Sequence, residues 1–292
     1  MNTLRSPSLA LIVFLSLAGF CQATTYTPTV LTDPPVSGGV NSANGVISGG
    51  AGAGQVSLRS AIIAANAHAG PDTITFNAGL GTTYTLTLVN AAGNEDACQT
   101  GDLDVTDTLT ITGNGPASTI IQAGTTNANG IDKVFAINPF CDHPISFTIT
   151  GVTVRFGRNT QPFGASDFSY TGGGLDWCEK GTGALTISNC VFSDNTNVNG
   201  YGGGINIDEV APAISTIAIS NTTITNNKSA STGGGINIFG DNGSTTITGC
   251  TISNNMTTGA NSGAHGGGVN IRVTNQNDND GAPVPVIAKV TG

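Results

Sequence analysis

Charge is what this chain has least of. Asp, Glu, Lys and Arg make up 9% of its 292 residues, and 9 basic against 18 acidic side chains leave a formal charge of −9. With an isoelectric point near 4.4, so little positive charge argues against nucleic acid or an anionic membrane surface as partner. The surface must instead be covered by Thr, Ser, Asn and 42 Gly. Long apolar runs are also missing. Leu9 to Leu17 is too short for a membrane span and has a single charge, Arg5, before it. With Cys21-Gln22-Ala23 after it, the stretch 1–23 reads as an export signal. The six Cys show no zinc-binding spacing.

What is present is repetition. Gly202-Gly203-Gly204-Ile205-Asn206-Ile207 returns at Gly233–Ile238 and Gly266–Ile271, with a degenerate copy at Gly172-Gly173-Gly174-Leu175-Asp176-Trp177. The first glycines stand at 172, 202, 233 and 266, so the steps are 30, 31 and 33 residues. A period in this range marks a solenoid, a propeller or an array. A second phrase runs out of phase: Leu109–Gly113, Phe147–Gly151, Leu185–Asn189, Ile217–Asn221 and Thr245–Gly249. It alternates apolar with Thr or Ser, the pattern of a strand with one buried face, and ends in Asn or Gly, which tolerate a sharp bend. A short strand ending in Asn follows (Phe156–Asn159, Phe192–Asn195, Ile224–Asn227, Ile252–Asn255), then the glycine corner and the Ile-Asn-Ile strand. Three strands and three corners per repeat describe one coil of a parallel β-helix, not a propeller blade of four antiparallel strands. The fold class expected is therefore all-β, a right-handed parallel β-helix, the hand following the general crossover preference.

Stacking places Ile149, Ile187, Ile219 and Ile247 in one inward ladder and Phe156, Phe192, Ile224 and Ile252 in another. Asn195, Asn227 and Asn255 form a ladder able to pass amide hydrogen bonds between coils. No coil buries its apolar face alone, so the ends need caps. A helix over about 57–69, capped by Ser57, lined by Leu58, Ala61, Ile62 and Ala65 and stopped by Gly70-Pro71, supplies one. The division expected is an export signal over 1–23, a lead-in and cap over 24–107, and coils over 108–292, truncated at the C-terminus because Val286–Gly292 reads like the start of another coil.

Val56-Ser-Leu-Arg-Ser-Ala61, with Ile62–Asn66 and Gly70–Phe76, resembles the CSLREA-type N-terminal module of secreted bacterial β-helix proteins over roughly residues 25 to 140. Val56 stands where that motif has Cys, and Ser60 where it has Glu. The triple glycines paired with Phe156-x-x-Asn159 and Phe192-x-x-Asn195 are similar to the GGAI and FxxN repeats of polymorphic outer-membrane proteins. These resemblances imply an exported, extracellular or outer-membrane-surface protein of the adhesin or passenger type, with surface glycans or proteins as partners. Sugar lyases and hydrolases share the architecture, so a polysaccharide-active enzyme is the alternative.

Aligning the coils stacks Glu179 on Glu209, with Asp176 and Asp208 beside them and Asp241 one coil on. Such carboxylates can bind Ca²⁺ or act as a glycosidase pair, with Lys180 and Arg272 as the cations a lyase needs; the competing reading is a solvated loop. His68, His143 and His265 are scattered, without a ligand grouping. Asp102 and Asp104 alternate with Leu103 and Val105 and read as outward side chains. The triple glycines precede strands and lack a following Lys, which excludes a phosphate loop. Outward Thr-x-Thr pairs suggest, more remotely, an ice-binding face, interrupted at Ala218. In an exported protein disulfides are plausible, and Cys98 with Cys141 is the expected pair. Cys190 and Cys250 lie two rungs apart, about 9.6 Å, beyond the roughly 7 Å a disulfide spans, so both read as core residues. Cys178 has no expected partner.

Overall fold

The computed structural model describes residues 22–90, 95–162, 170–210, 214–240, 243–259, 265–273 and 287–291. Most of the expected export signal, and Asp241, lie outside them. The chain is mostly β, and every strand pairing within its four sheets is parallel. Sheet 1 stacks eight strands: Thr25–Tyr26, Asp72–Thr75, Leu109–Thr112, Phe147–Thr150, Ala184–Ser188, Thr216–Ser220, Ser244–Thr248 and Ile287–Thr291. Sheet 2 stacks six, from Thr83–Leu86 through Val191–Ser193 to Thr251–Ser253, and sheet 3 four short ones, from Arg158–Asn159 to Met256–Thr257. Sheet 4 stacks Leu103–Val105, Phe135–Ile137, Leu175–Glu179, Ile205–Glu209, Ile236–Gly240 and Val269–Val273. From Phe147 to Val273 each repeat lays one strand in each sheet and then starts the next layer, whereas the two layers before it have no strand in sheet 3; the order is solenoid-like, with no closed barrel among the described residues.

The aliphatic ladder of sheet 1 is in register: Ile149, Ile187, Ile219 and Ile247 pair in line, and none is more than 1% exposed. On the opposite face the Thr column runs Thr110, Thr148, Thr186, Ala218, Thr246. Left-handed corners follow at Gly151, Asn189, Asn221 and Gly249. The ladder of sheet 2 needs a correction. Its members are Val154, Phe192, Ile224 and Ile252, with Val154 in the place expected for Phe156. Phe156 instead occupies the corner with φ 63° and packs under the Arg155 guanidinium. The phrase at 156–159 is thus two residues out of step with the later ones, and Asn159 pairs with Asn197, not Asn195.

The Asn ladder forms as expected. Asn195 Nδ2 donates to Asn227 Oδ1, and Asn227 Nδ2 to Asn255 Oδ1, each at 3.0 Å. Each Oδ1 also accepts the backbone N–H of the preceding coil's Asn, and each Nδ2 also donates to a carbonyl, Phe192 O in the case of Asn227. Asn227→Ala removes four buried hydrogen bonds and leaves the Asn195 N–H and Phe192 O without these partners, and unsatisfied buried groups cost about 1–3 kcal/mol each. We expect a loss of about 3 kcal/mol in denaturant unfolding; a loss under 1 kcal/mol would show the ladder to be a bystander.

The glycine triplets fit their corners for two reasons. Gly172, Gly202, Gly233 and Gly266 all have φ between 62° and 67°. The second and third glycines face carbonyls of the next layer so closely that a Cβ on Gly204 would lie 2.7 Å from Gly235 O. At the N-terminal end, the helix Leu58–Ala67 is capped by Ser57, whose hydroxyl accepts the Ser60 N–H while Ser60 Oγ accepts the Ser57 N–H. Leu58, Ala61, Ile62 and Ala65 are buried, and Arg59 is buried with them. Its guanidinium pairs with both oxygens of Asp33 and donates to the carbonyls of Thr100, Gly101 and Asp102.

Two further expectations are overturned. The disulfide joins Cys141 to Cys178, with Cα atoms 5.2 Å apart, and Cys98 is a free, buried thiol. Cys141 lies in the turn that follows Ile137, the rung neighbour of Trp177, which brings it beside Cys178. Cys98 is held elsewhere by its N–H bond to Asp104 Oδ2. Asp102 and Asp104 do not face solvent: they are 1% and 0% exposed. The Cys98 N–H donates to Asp104, and Asp102 lies among Asp104, Asp132 and Lys133. Burial and the neighbouring carboxylates hold both carboxyls well above the usual carboxylate range.

Candidate functional site

The outward face of sheet 4 carries three columns set by the phrase x-Gly-Gly-Gly-x-Asn-x-x. The first column is Asp176, Asn206, Asn237, Asn270. Asn270 Nδ2 donates to Asn237 Oδ1, Asn237 Nδ2 to Asn206 Oδ1, and Asn206 Nδ2 to Asp176 Oδ1, at 2.8, 2.8 and 2.9 Å. Asp176 ends this second amide ladder and also accepts from Thr171 Oγ1 at 2.7 Å and Lys133 Nζ at 3.2 Å. Lys133 is buried. Burial alone would pull its ammonium down, but Asp176, Asp102 and Asp132 around it raise it instead.

The second column runs Cys178, Asp208, Phe239, Arg272. Asn206 Nδ2 donates to Asp208 Oδ2 at 2.7 Å, so one amide bridges the carboxylates of Asp176 and Asp208. Burial, and then the charge of Asp176, push Asp208 up to about 7; the Asn206 bond and Lys133 offset this only in part. The Arg272 guanidinium lies over the Phe239 ring, 5.4 Å from its centroid. The third column consists of the residues just before the triplets, among them Tyr201, Thr232 and His265, which the backbone bonds of the glycine corners hold in line. Tyr170 meets Tyr201 edge-on with ring centroids 6.1 Å apart. Between the columns is a cleft of about 650 Å³, with Tyr170, Tyr201 and His265 at its margin and Asp208, Asn237 and Arg272 on its floor.

The carboxylates expected to cluster fall into two groups. Glu179 does stack on Glu209, and Asp176 on Asn206. Asp176 and Asp208 belong to the bridged floor, but Glu179 is fully buried and accepts the backbone N–H of Ile145 and Gly183. Burial raises its carboxyl, and those two bonds oppose the rise. Glu209 is 7% exposed and packs against Gly240 and Gly243, the next layer's version of the same corner. Both glutamates therefore shape turns. Among the described residues no group of three or more His, Cys, Asp or Glu is arranged to hold a metal ion. Of the two cations considered with them, Arg272 lines the cleft and Lys180 is not among its lining residues. His265 reaches the cleft, whereas His68 bonds to Asp72 and Thr24, and His143 to Asp142. Tyr170, Tyr201 and Phe239 went unnoticed in the sequence, and His265 was noted there only as a scattered histidine. The usable signal was position within the repeat: Tyr201 and His265 directly precede a glycine triplet, and Phe239 shares a rung position with Asp208 and Arg272.

No family model matches the chain, and neither a curated protein nor a solved structure shows significant similarity to it. Among the described residues no helix is long and apolar enough to cross a membrane.

Proposed function

We propose that this chain is an exported, right-handed parallel β-helix of the adhesin or passenger type that binds glycan in the cleft over sheet 4. The solenoid-like strand order and the right-handed preference of parallel crossovers support the fold. The export-signal pattern at residues 1–23 and the resemblance of Val56–Ala61 to the CSLREA module support a place outside the cell or on the outer-membrane surface. The cleft itself carries the functional reading: aromatic walls, an amide floor and one arginine make a site suited to stacking on sugar rings while bonding their hydroxyls. Binding of a panel of neutral and acidic oligosaccharides by calorimetry tests it. Tyr201→Ala is expected to weaken binding roughly fivefold, as removal of one aromatic contact does. A panel with no ligand above background would overturn it.

Turnover of the glycan is the second reading, favoured by the Asp208 carboxyl, which is pushed up to about 7 and so suits a general acid near neutral pH. A glycosidase also needs a second carboxylate on the cleft, and Asp176 is already engaged by Lys133, Thr171 and Asn206. Release of reducing ends or unsaturated sugars by the wild type, abolished in Asp208→Asn, would establish turnover.

A further inference from the structure

We propose that the cleft selects glycans bearing uronate carboxylates, with Arg272 as the group that holds the acid and Asp208 as the group that tunes it; this rests on the glycan-binding reading above. Arg272 is exposed, and among the described residues it has no carboxylate within 4 Å, although the chain as a whole is acidic. Lying over Phe239, its guanidinium plane is held by the ring. Two parallel N–H donors on the guanidinium edge match a planar carboxylate in bidentate geometry. The floor repeats at the strand spacing, so Asp208 and Arg272 stand about 9.6 Å apart along one column, with Phe239 between them. A sugar chain laid along the columns meets the ring and amides in its middle, the cation at one end and the Asp208 carboxyl at the other.

The second carboxyl would repel an acidic ligand if charged, and its surroundings decide that. Asp176 faces it across Asn206, Lys133 lies behind Asp176, Tyr170 borders it from the wall, and Glu209 is its neighbour on the same strand. His265 lines the same cleft farther along. Asp208 is pushed up to about 7 by burial and Asp176, so it takes up a proton as pH falls through neutrality. Uronate acids, at the ordinary carboxylate range of about 4, remain charged there. Affinity for the acid therefore rises as the medium moves from mildly alkaline to mildly acidic.

The test uses the full exported chain and an oligogalacturonate, its methyl ester, a sulfated galactan and a neutral galactan of matched length, with binding followed by calorimetry. The free acid should bind at least about tenfold more tightly than the ester, the difference a charge-assisted hydrogen bond makes. Arg272→Ala should bring the acid down to the level of the ester, and Arg272→Lys should fall between. Asp208→Asn should flatten the dependence of acid binding on pH. Equal affinity for acid and ester, or an Arg272-dependent preference for the sulfated galactan, would overturn the proposal while leaving a glycan-binding cleft. Failure to bind any of the four would sink both. A pH dependence unchanged in Asp208→Asn would remove Asp208 from the account.

Discussion

Ile219→Asp is expected to leave no folded protein at ordinary temperature. Ile219 is fully buried between Ile187 and Ile247, in the middle of sheet 1. A carboxylate there has no donor to meet it, since the groups around it are aliphatic side chains and backbone already paired within the sheet. Removing the side chain forfeits about 2–5 kcal/mol, and burying an unpaired polar group adds several more, which exceeds the margin most domains possess. Circular dichroism and thermal unfolding read the result. Thr186→Asp, on the outward face one rung away, is the control and should shift stability by no more than about 0.5 kcal/mol. A near-wild-type melt for Ile219→Asp would refute the stacked layers themselves.

Arg59→Met comes second in expected size. The guanidinium ties Asp33 of the lead-in to three successive carbonyls, Thr100 to Asp102, and so fastens two irregular segments to the capping helix. Methionine fills the space but leaves Asp33 charged and buried and the carbonyls unpaired, a loss of about 3–5 kcal/mol for a broken buried pair. Arg59→Lys should recover little, because an ammonium cannot reach a carboxylate and several carbonyls in one plane. Denaturant midpoints for the three proteins measure this. A wild-type midpoint in Arg59→Met would mean that the cap is held by its apolar face alone.

Periodicity made much of this molecule readable in advance. The Ile149–Ile247 ladder, the Asn195–Asn227–Asn255 ladder and the stacking of Glu179 on Glu209 all follow once the repeats are aligned, because each coil's register is fixed by its neighbour. What failed lies where the repeat breaks. Phe156-x-x-Asn159 looks like the later phrases but sits two residues out of step, since a buried β-branched residue, Val154, takes the core position. Cys141 and Cys178 meet because a turn follows the Phe135–Ile137 strand, and nothing in the spacing of cysteines encodes that turn. Asp102 and Asp104 alternate like solvent-facing side chains, but Cys98 bonds to Asp104 and Asp132 and Lys133 lie beside Asp102, and such neighbours leave no trace in local alternation. The acidic residues were found and their roles were not: identical stacking put Glu179 and Glu209 under glycine corners, and left Asp208 on the floor of the cleft.

The second amide ladder has a direction. A carboxylate can only accept and an ammonium can only donate, so the pairing of Lys133 with Asp176 decides which way Asn206 must point. Asn206 then decides Asn237, and Asn237 decides Asn270. No single amide can be reversed without breaking the bonds on both sides of it, so the row behaves as one unit whose sense is written at its N-terminal end. Along this row each layer offers an oxygen to the layer after it in the chain, and that layer answers with a nitrogen. The sense of the row is thus set once, at Asp176, and every later amide in it is bound to the same orientation.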